Sequence, residues 1–146
     1  MKTVISTLVL LQVLLGAQFA QAADRTQQRW VEDLVSQDYS LIRHATETMY
    51  KSGEKSEEML DIVAEVVLES YQIPAIGFIH IDALAWGMRL LGASGNWRYD
   101  ETMAEVAANA DHKKLRKYAK KFRKQLVKSD AAQYQKGDVS LQALRQ

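Results

Sequence analysis

The sequence contains no cysteine and only one proline among its 146 residues. The absence of cysteine excludes a disulfide-bonded scaffold and a zinc site built on thiolates. Hydrophobic residues make up 47% of the chain and charged residues 25%, proportions that exclude extended disorder and collagen. A chain of this length and composition is expected to fold as one globular domain.

Long apolar runs are scarce, but one stands out at the N-terminus. Lys2 precedes an apolar run over residues 4–17, and the small residues Ala20 and Ala22 follow it. This is the layout of a secretory signal peptide, and the run is shorter than the about 20 residues that span a membrane. We therefore predict a signal peptide over residues 1–22, cleavage between Ala22 and Ala23, and a periplasmic or secreted mature chain without a transmembrane segment.

The rest of the sequence predicts helices. Apolar residues recur at intervals of three and four, and neither a hairpin signal nor sustained alternation is present. We predict an all-α fold of about six helices in antiparallel pairs, either a short α-solenoid or a compact right-handed helical bundle. The predicted helices are a short one around residues 30–35, one over 41–52 closed by Gly53, one opened by Ser56 and bounded by Pro74, one over 83–91 with Asp82 as N-cap, one over 99–110 and one over 112–128. Residues 23–128 form the predicted helical domain, and residues 129–146 are predicted to be a weakly structured tail.

Charge is distributed unevenly along the chain. Residues 23–111 hold 16 acidic and 7 basic residues, whereas residues 112–128 hold 9 basic and no acidic residues. In the third helix Glu58, Asp61, Glu65 and Glu69 form one narrow polar stripe. We expect this acidic stripe to be a solvated helix face; the alternatives are that it binds a cationic partner or meets the basic sixth helix.

The sixth predicted helix carries an apolar stripe surrounded by basic residues. The stripe is expected to face the core, so the charges need an anionic counterpart, because like charges at i, i+4 destabilise a helix by about 0.2–0.5 kcal/mol per pair. The acidic remainder of the molecule is one candidate, and anionic lipid head groups are another. Nucleic acid is unlikely to meet an exported protein. The candidate anion-binding residues are Lys113, Lys114, Arg116, Lys117, Lys120, Lys121, Arg123 and Lys124.

An internal repeat is visible when Gly53 is placed over Gly95. The flanking helices then match in pattern at offsets of 41, 42 and 44 residues, inside the range of about 40 to 47 residues that is typical of paired-helix solenoid units. With its Asp82-Ala-Leu-Ala-Trp86, Gly95-Asn-Trp-Arg-Tyr99 and Lys114-Leu-Arg-Lys-Tyr-Ala119 segments, the sequence resembles small bacterial exported proteins of the HEAT-like repeat family. The resemblance covers roughly residues 40–127 and implies a stack of helix pairs, but no activity by itself.

Motifs that carry catalysis or metal binding are missing. His44, His80 and His112 lie on different segments, and none has a second histidine or cysteine three or four residues away. Ser52 and Lys55 match the Ser-x-x-Lys spacing of penicillin-recognising enzymes, but the partner motifs of that chemistry are absent. We therefore predict no enzyme activity, no metal and no cofactor, with an enzyme of no recognisable motif as the remaining alternative.

Two functional hypotheses remain for a non-catalytic protein. The first is a HEAT-like module that binds another envelope protein, with Trp86, Trp97, Arg98 and Tyr99 as a candidate binding patch near a turn. The second is an electrostatic binder of an anionic membrane surface or another polyanion, acting through the basic helix over residues 112–128. The sequence names neither the partner nor the oligomeric state.

Overall fold

A computed structural model describes residues 23–74 and 77–146, and the predicted signal peptide lies outside them. The described residues contain helices and no β-strand, which confirms the predicted all-α class. The first helix, α1, covers residues 23–35 of the described chain. The others are α2 (Tyr39–Ser52), α3 (Glu57–Ser70), α4 (Phe78–Ser94), a short 3₁₀ helix (Trp97–Tyr99), α5 (Asp100–Asn109), α6 (Lys113–Arg123) and α7 (Leu141–Leu144).

Several helix bounds differ from the prediction: α1 begins at residue 23 instead of about 30, α4 extends beyond residues 83–91 at both ends, and α6 is shorter. Helix α4 begins at Phe78, so Asp82 lies inside it and does not act as its N-cap. The Asp82 carboxylate instead accepts a hydrogen bond from Arg43 in α2, and the extra first turn is held by the buried side chain of His80. Helix α6 ends at Arg123 because the chain beyond it turns back, and the amide of Val127 donates to the carbonyl of Gly95 at 3.0 Å.

The two glycines aligned in the repeat have the same structural role. Gly53 ends α2 with φ of 74° and Gly95 ends α4 with φ of 69°. Both values are left-handed, a conformation that closes a helix and that glycine adopts without a steric penalty. The predicted end of the second helix at Gly53 is therefore confirmed.

Helices α2, α4 and α6 lie side by side in one layer, with α4 in the middle. Arg43 and Tyr50 of α2 meet Asp82 and Trp86 of α4 in the same order along the chain, so these two helices run in parallel. Helix α6 is parallel to α4 as well, because contacts join the starts of the two helices and also their ends. Helix α6 is therefore an edge of the layer.

Helices α3 and α5 pack on this layer in the opposite direction. His80 and Gly87 of α4 meet Ser70 and then Val63 of α3, in reversed order along the chain. The apolar face of α3 spans more than half of its circumference, as its sequence pattern predicted, and α4 is apolar nearly all round because it packs against α2, α3 and α6.

Gly92 permits the closest approach between α4 and α6. A Cβ atom built on Gly92 would lie 2.7 Å from the carbonyl oxygen of Phe122 and 2.9 Å from its Cβ. Backbone atoms cannot move away as a flexible side chain can, so no larger residue fits without displacing α6. This contact fixes the last turn of α6 against the middle helix of the layer.

Residues 129–146 contain one short helix, α7, yet they pack on the body. Tyr134 and Leu141 are buried, and the amide of Tyr134 donates to the carbonyl of Arg98 at 2.9 Å. Near the C-terminus, Nε of Arg145 donates to the carbonyl oxygen of Val35 at the end of α1, at 2.8 Å. The segment that was predicted to be weakly structured thus lies across the molecule from α5 to α1.

Candidate functional site

The two middle residues of the acidic stripe of α3, Asp61 and Glu65, are covered, which corrects the expectation of a solvated face for this half of the stripe. Glu65 is only 2% exposed, and its Oε2 accepts hydrogen bonds from the Tyr134 hydroxyl at 2.6 Å and from the amide of Gly137 at 2.9 Å. Glu58 and Glu69, at the two ends of the stripe, are exposed. The C-terminal segment covers Glu65, and no basic side chain of α6 forms an ion pair with the stripe in the described residues.

Asp61 is the second covered carboxylate, and it accepts hydrogen bonds from two residues of the candidate binding patch. Arg98 donates from Nε and Nη2 to the two Asp61 oxygens at 3.0 Å each, and the Tyr99 hydroxyl donates to the same carboxylate at 2.9 Å. Hydrogen bonding to Asp61 raises the pKa of Arg98. Burial, followed by the Asp61 charge, raises the pKa of Tyr99 above its ordinary range.

The candidate patch of Trp86, Trp97, Arg98 and Tyr99 is therefore not one exposed surface. Tyr99 is fully buried and belongs to the core. Trp86 packs edge to face on Tyr50 of α2, with the guanidinium of Arg89 4.7 Å from its ring centroid. Trp97 is half-buried beside Arg98 on the 3₁₀ helix, and its carbonyl accepts a hydrogen bond from Gln133. These side chains hold helices and the C-terminal segment together.

A second tyrosine–glutamate contact lies in a shallow depression between α3, α5 and the C-terminal segment. The Tyr71 hydroxyl donates to Glu105 at 2.5 Å. Burial, and then the hydrogen bond to Glu105, raises the pKa of Tyr71 to about 12. The depression is lined on its other sides by polar residues that include Glu101 and Gln135. No sequence pattern indicates this depression, because its walls are far apart in the chain.

The described structure does not bring the three histidines into one metal site. His80 is buried, stacks on Tyr39 at 4.1 Å and approaches the carbonyl of Ser70 with Nε2 at 3.2 Å. Burial lowers the pKa of His80. His112 caps α6 by accepting a hydrogen bond from the amide of Lys114. Over residues 23–74 and 77–146, no three histidine, cysteine or acidic residues form a group that could hold a metal ion.

The predicted two-sided character of α6 matches its packing. Leu115, Ala119 and Phe122 are buried against the body. Two of the candidate anion-binding residues serve the fold. Arg123 donates to both oxygens of Asp100 at 2.6 and 2.7 Å, and this contact raises the pKa of Arg123. Arg116 donates to the carbonyls of Ala110 and Asp111, which closes the turn between α5 and α6.

The remaining candidates form what we call the lysine face: Lys113, Lys114, Lys117, Lys120, Lys121 and Lys124. All six side chains are exposed, and five of them line one shallow surface groove together with Arg116. Within the described part of the chain, none of these six lysines has a carboxylate oxygen within 4.0 Å. The structure therefore brings together the lysines that the sequence singled out, without a partner from the acidic remainder of the molecule.

Sequence reasoning did not single out Phe78, which lies beside the lysine face. Phe78 begins α4 and is 70% exposed, and the ammonium of Lys114 lies 5.6 Å from its ring centroid. The signal available in the sequence was the run of apolar residues between Ile73 and Ile79, but periodicity cannot tell an exposed apolar residue from a buried one.

Comparison with known proteins adds no relative: no protein-family model matches the chain, and searches of curated proteins and of solved structures gave no match. None of the helices in the described residues is both long and apolar enough to span a membrane. The function has to follow from the geometry of the chain's own side chains.

Proposed function

We propose that this protein is a non-catalytic binding protein whose lysine face takes an anionic partner. The observation that carries the proposal is that six exposed lysines on one helix lie together without a carboxylate partner in the described structure. Clustered cations create a positive potential that attracts and concentrates anions. An acidic polymer or a surface of phosphate groups is the chemistry that such a face recognises.

The cost of the lysine face to the fold supports a functional reading. Lys117 has lysines four residues away on both sides, at positions 113 and 121, and each such like-charge pair destabilises a helix by about 0.2–0.5 kcal/mol. Lys113 and Lys114 also lie in the first turn, where the helix dipole disfavours positive charge and where α6 has no acidic residue. A cationic face that stability does not favour is expected where binding requires it.

The body is proposed to be a short HEAT-like stack that presents α6. Three features support this reading: the parallel layer of α2, α4 and α6, the opposed helices α3 and α5, and the equivalent glycine caps at Gly53 and Gly95. In such a stack the outermost helix has one flank without a neighbour. Helix α6 occupies that position, which leaves its lysines open to a partner.

The proposal includes export of the chain. It rests on residues 1–22, whose basic start, apolar run and small residues at Ala20 and Ala22 match a signal peptide. Expression of the full chain in a bacterial host should yield a periplasmic or secreted product whose mass corresponds to a chain with Ala23 as its N-terminal residue. An intact cytoplasmic chain would contradict this part of the proposal.

The anion-binding proposal is tested with inorganic polyphosphate and two triple variants of equal charge change. The chain from Ala23 is suitable, because the buried core described above is drawn from Leu34 to Leu141. The test variant carries Lys117→Gln, Lys120→Gln and Lys121→Gln; the control carries Lys51→Gln, Lys55→Gln and Lys136→Gln, three exposed lysines elsewhere. We expect the test variant to bind polyphosphate about a hundredfold more weakly, as loss of about 1 kcal/mol for each of the three lysines implies.

The control should retain binding close to that of the unchanged chain. Binding of the unchanged chain should also weaken steeply with added salt, since exposed charges are screened within about 3 Å at 1 M ionic strength. Equal loss of binding in the two triple variants would contradict the proposal, because it would show a response to net charge alone rather than to the lysine face.

A further inference from the structure

One end of the molecule combines exposed apolar side chains with the start of the lysine face. Three of the large hydrophobic side chains that are exposed in the described structure flank the connection between α3 and α4: Ile73 is 45% exposed, Phe78 70% and Ile79 40%. We call these three residues the apolar tip. Helix α6 runs parallel to α4, so its first turn lies at this same end, and Lys114 reaches the ring of Phe78.

The exposure of Phe78 calls for an explanation in terms of a partner. A phenylalanine is among the residues that gain most from removal from water, yet Phe78 lies at a helix start with most of its surface in solvent. A single exposed apolar residue needs no explanation, but here an aromatic ring lies against the lysine face, at the end of the molecule where two isoleucines are also exposed. An apolar element bordered by cations complements a surface that is anionic outside and apolar beneath.

We propose that the anionic partner is a lipid bilayer and that the apolar tip, led by Phe78, inserts among its acyl chains. This inference rests on the proposed function. The lysines next to the tip, Lys113, Lys114 and Lys117, then lie at the depth of the phosphate groups. Helix α6 stays packed on the body through Leu115 and Phe122, so binding does not require it to detach. Insertion of the tip supplies the apolar part of the affinity and the lysine face the electrostatic part.

This arrangement predicts that a membrane binds differently from a soluble polyanion. A soluble polyanion such as polyphosphate meets only the lysine face, because it has no apolar interior for Phe78. A membrane uses both elements, so some binding should survive salt concentrations that screen the lysines. The apolar tip therefore predicts a dependence on Phe78 that is specific to vesicles.

The first experiment compares two exposed apolar residues in vesicle sedimentation. Val127 is 69% exposed, matches Phe78 in exposure and lies at the other end of α4, against Gly95. With vesicles of equal parts phosphatidylcholine and phosphatidylglycerol, Phe78→Ser should weaken binding about tenfold, the loss expected for one inserted aromatic side chain. Val127→Ser should bind as the unchanged chain does, and both variants should bind polyphosphate equally well.

The second experiment reports insertion directly. Since the chain has no cysteine, Phe78→Cys and Val127→Cys variants each accept one polarity-sensitive fluorophore at a single site. We expect a blue shift in emission at position 78 with the anionic vesicles, and none at position 127 or with pure phosphatidylcholine.

The two experiments distinguish failure of this inference from failure of the proposed function. Vesicle binding that is unaffected by Phe78→Ser, or a fluorophore at position 78 that stays in water, overturns insertion. If the triple variant at Lys117, Lys120 and Lys121 nevertheless loses polyphosphate binding, the anion-binding function stands with a soluble or protein partner. Polyphosphate binding that is indifferent to this triple variant overturns the proposed function itself.

Discussion

Helices α3 and α6 both carry a dense row of like charges, but the fold treats the two rows differently. On α3, Asp61 and Glu65 accept hydrogen bonds from Arg98, Tyr99 and Tyr134 and are covered by the chain. On α6, the lysine face has no carboxylate partner within the described residues and remains in solvent. The middle of the acidic row is therefore part of the internal structure, and the basic row is a free surface.

The difference shows how a charged row can be interpreted once its neighbours are known. A buried carboxylate without partners would be strongly unfavourable, so the buried acids require hydrogen-bond donors inside the same molecule. Exposed lysines carry no such requirement, and their clustering is slightly unfavourable for the helix that bears them. Changes in the acidic row should therefore affect stability, whereas changes in the basic row should affect binding.

The largest expected effect is a loss of stability at alkaline pH, because ionisation of buried tyrosines disrupts their hydrogen bonds to carboxylates. Three tyrosines are buried, and their hydroxyl groups donate hydrogen bonds to carboxylates: Tyr71 to Glu105, Tyr99 to Asp61 and Tyr134 to Glu65. Burial and these carboxylates raise the pKa of all three, that of Tyr71 to about 12. In the unfolded chain a tyrosine releases its proton near pH 10.

The folded state therefore holds more protons than the unfolded state above pH 10, and its stability falls as the pH rises. An unfolded tyrosine is half ionised at pH 10 and almost fully ionised at pH 11, so each of the three contributes about 1 kcal/mol over this range. The free energy of unfolding should therefore drop by about 3 kcal/mol between pH 10 and 11. Urea denaturation at several pH values measures this slope. Tyr71→Phe should reduce the slope by roughly one third; an unchanged slope in this variant would show that Tyr71 does not take part.

The second prediction compares two carboxylates of the acidic stripe. Asp61→Ala leaves Arg98 and Tyr99 without their acceptor and should destabilise the fold by about 3 kcal/mol, the scale for breaking a largely buried ion pair. Glu58→Ala, three residues earlier and exposed, should change stability by less than about 0.5 kcal/mol. Chemical denaturation checks both. Similar values for the two variants would mean that the stripe is solvated after all.

The third prediction concerns the position of the basic helix. Gly92→Ala should destabilise the fold by about 2 kcal/mol, because the new Cβ meets the backbone of Phe122 at 2.7 Å. Gly87→Ala in the same helix is the control: its Cβ would lie 3.1 Å from the Val67 side chain, which can adjust. The gain in helix propensity of about 1 kcal/mol should make this control near neutral. Thermal denaturation distinguishes the two.

The smallest expected effect is a gain in stability, and it concerns the lysine face. Lys117→Gln removes the like-charge pairs with Lys113 and Lys121 and should stabilise the fold by about 0.5 kcal/mol at low salt. Lys55→Gln, an exposed lysine outside any helix, should leave stability unchanged. A destabilised Lys117→Gln variant would show that this lysine contributes to the fold, and it would weaken the case for a surface kept for binding.

Local patterns in the sequence predicted the helices well. The spacing of apolar residues on α3 and the nearly uniform apolarity of α4 placed both helices in the core, and Gly53 marked a helix end. The lysines of α6 were identified as a candidate face because their surroundings follow from the helix period alone. These features depend on neighbours within a few residues of each other.

Features that depend on distant partners were missed. The burial of Glu65 follows from Tyr134 and Gly137, 69 and 72 residues later in the chain, so the stripe looked like a solvated face. Asp82 fitted the local rule for an N-cap, but Arg43, 39 residues earlier, uses its carboxylate instead. The exposure of Phe78 depends on where α4 begins relative to its neighbours, which periodicity does not determine.

The contact of Arg145 with Val35 has a consequence for the rate of folding. It joins residues 110 positions apart, and the contact of Tyr134 with Glu65 joins residues 69 positions apart. Contacts between residues so distant in sequence require long loops to close before they form, and folding slows as the share of such contacts rises. The protein should therefore fold more slowly than a helical bundle of its size that is held by local contacts alone.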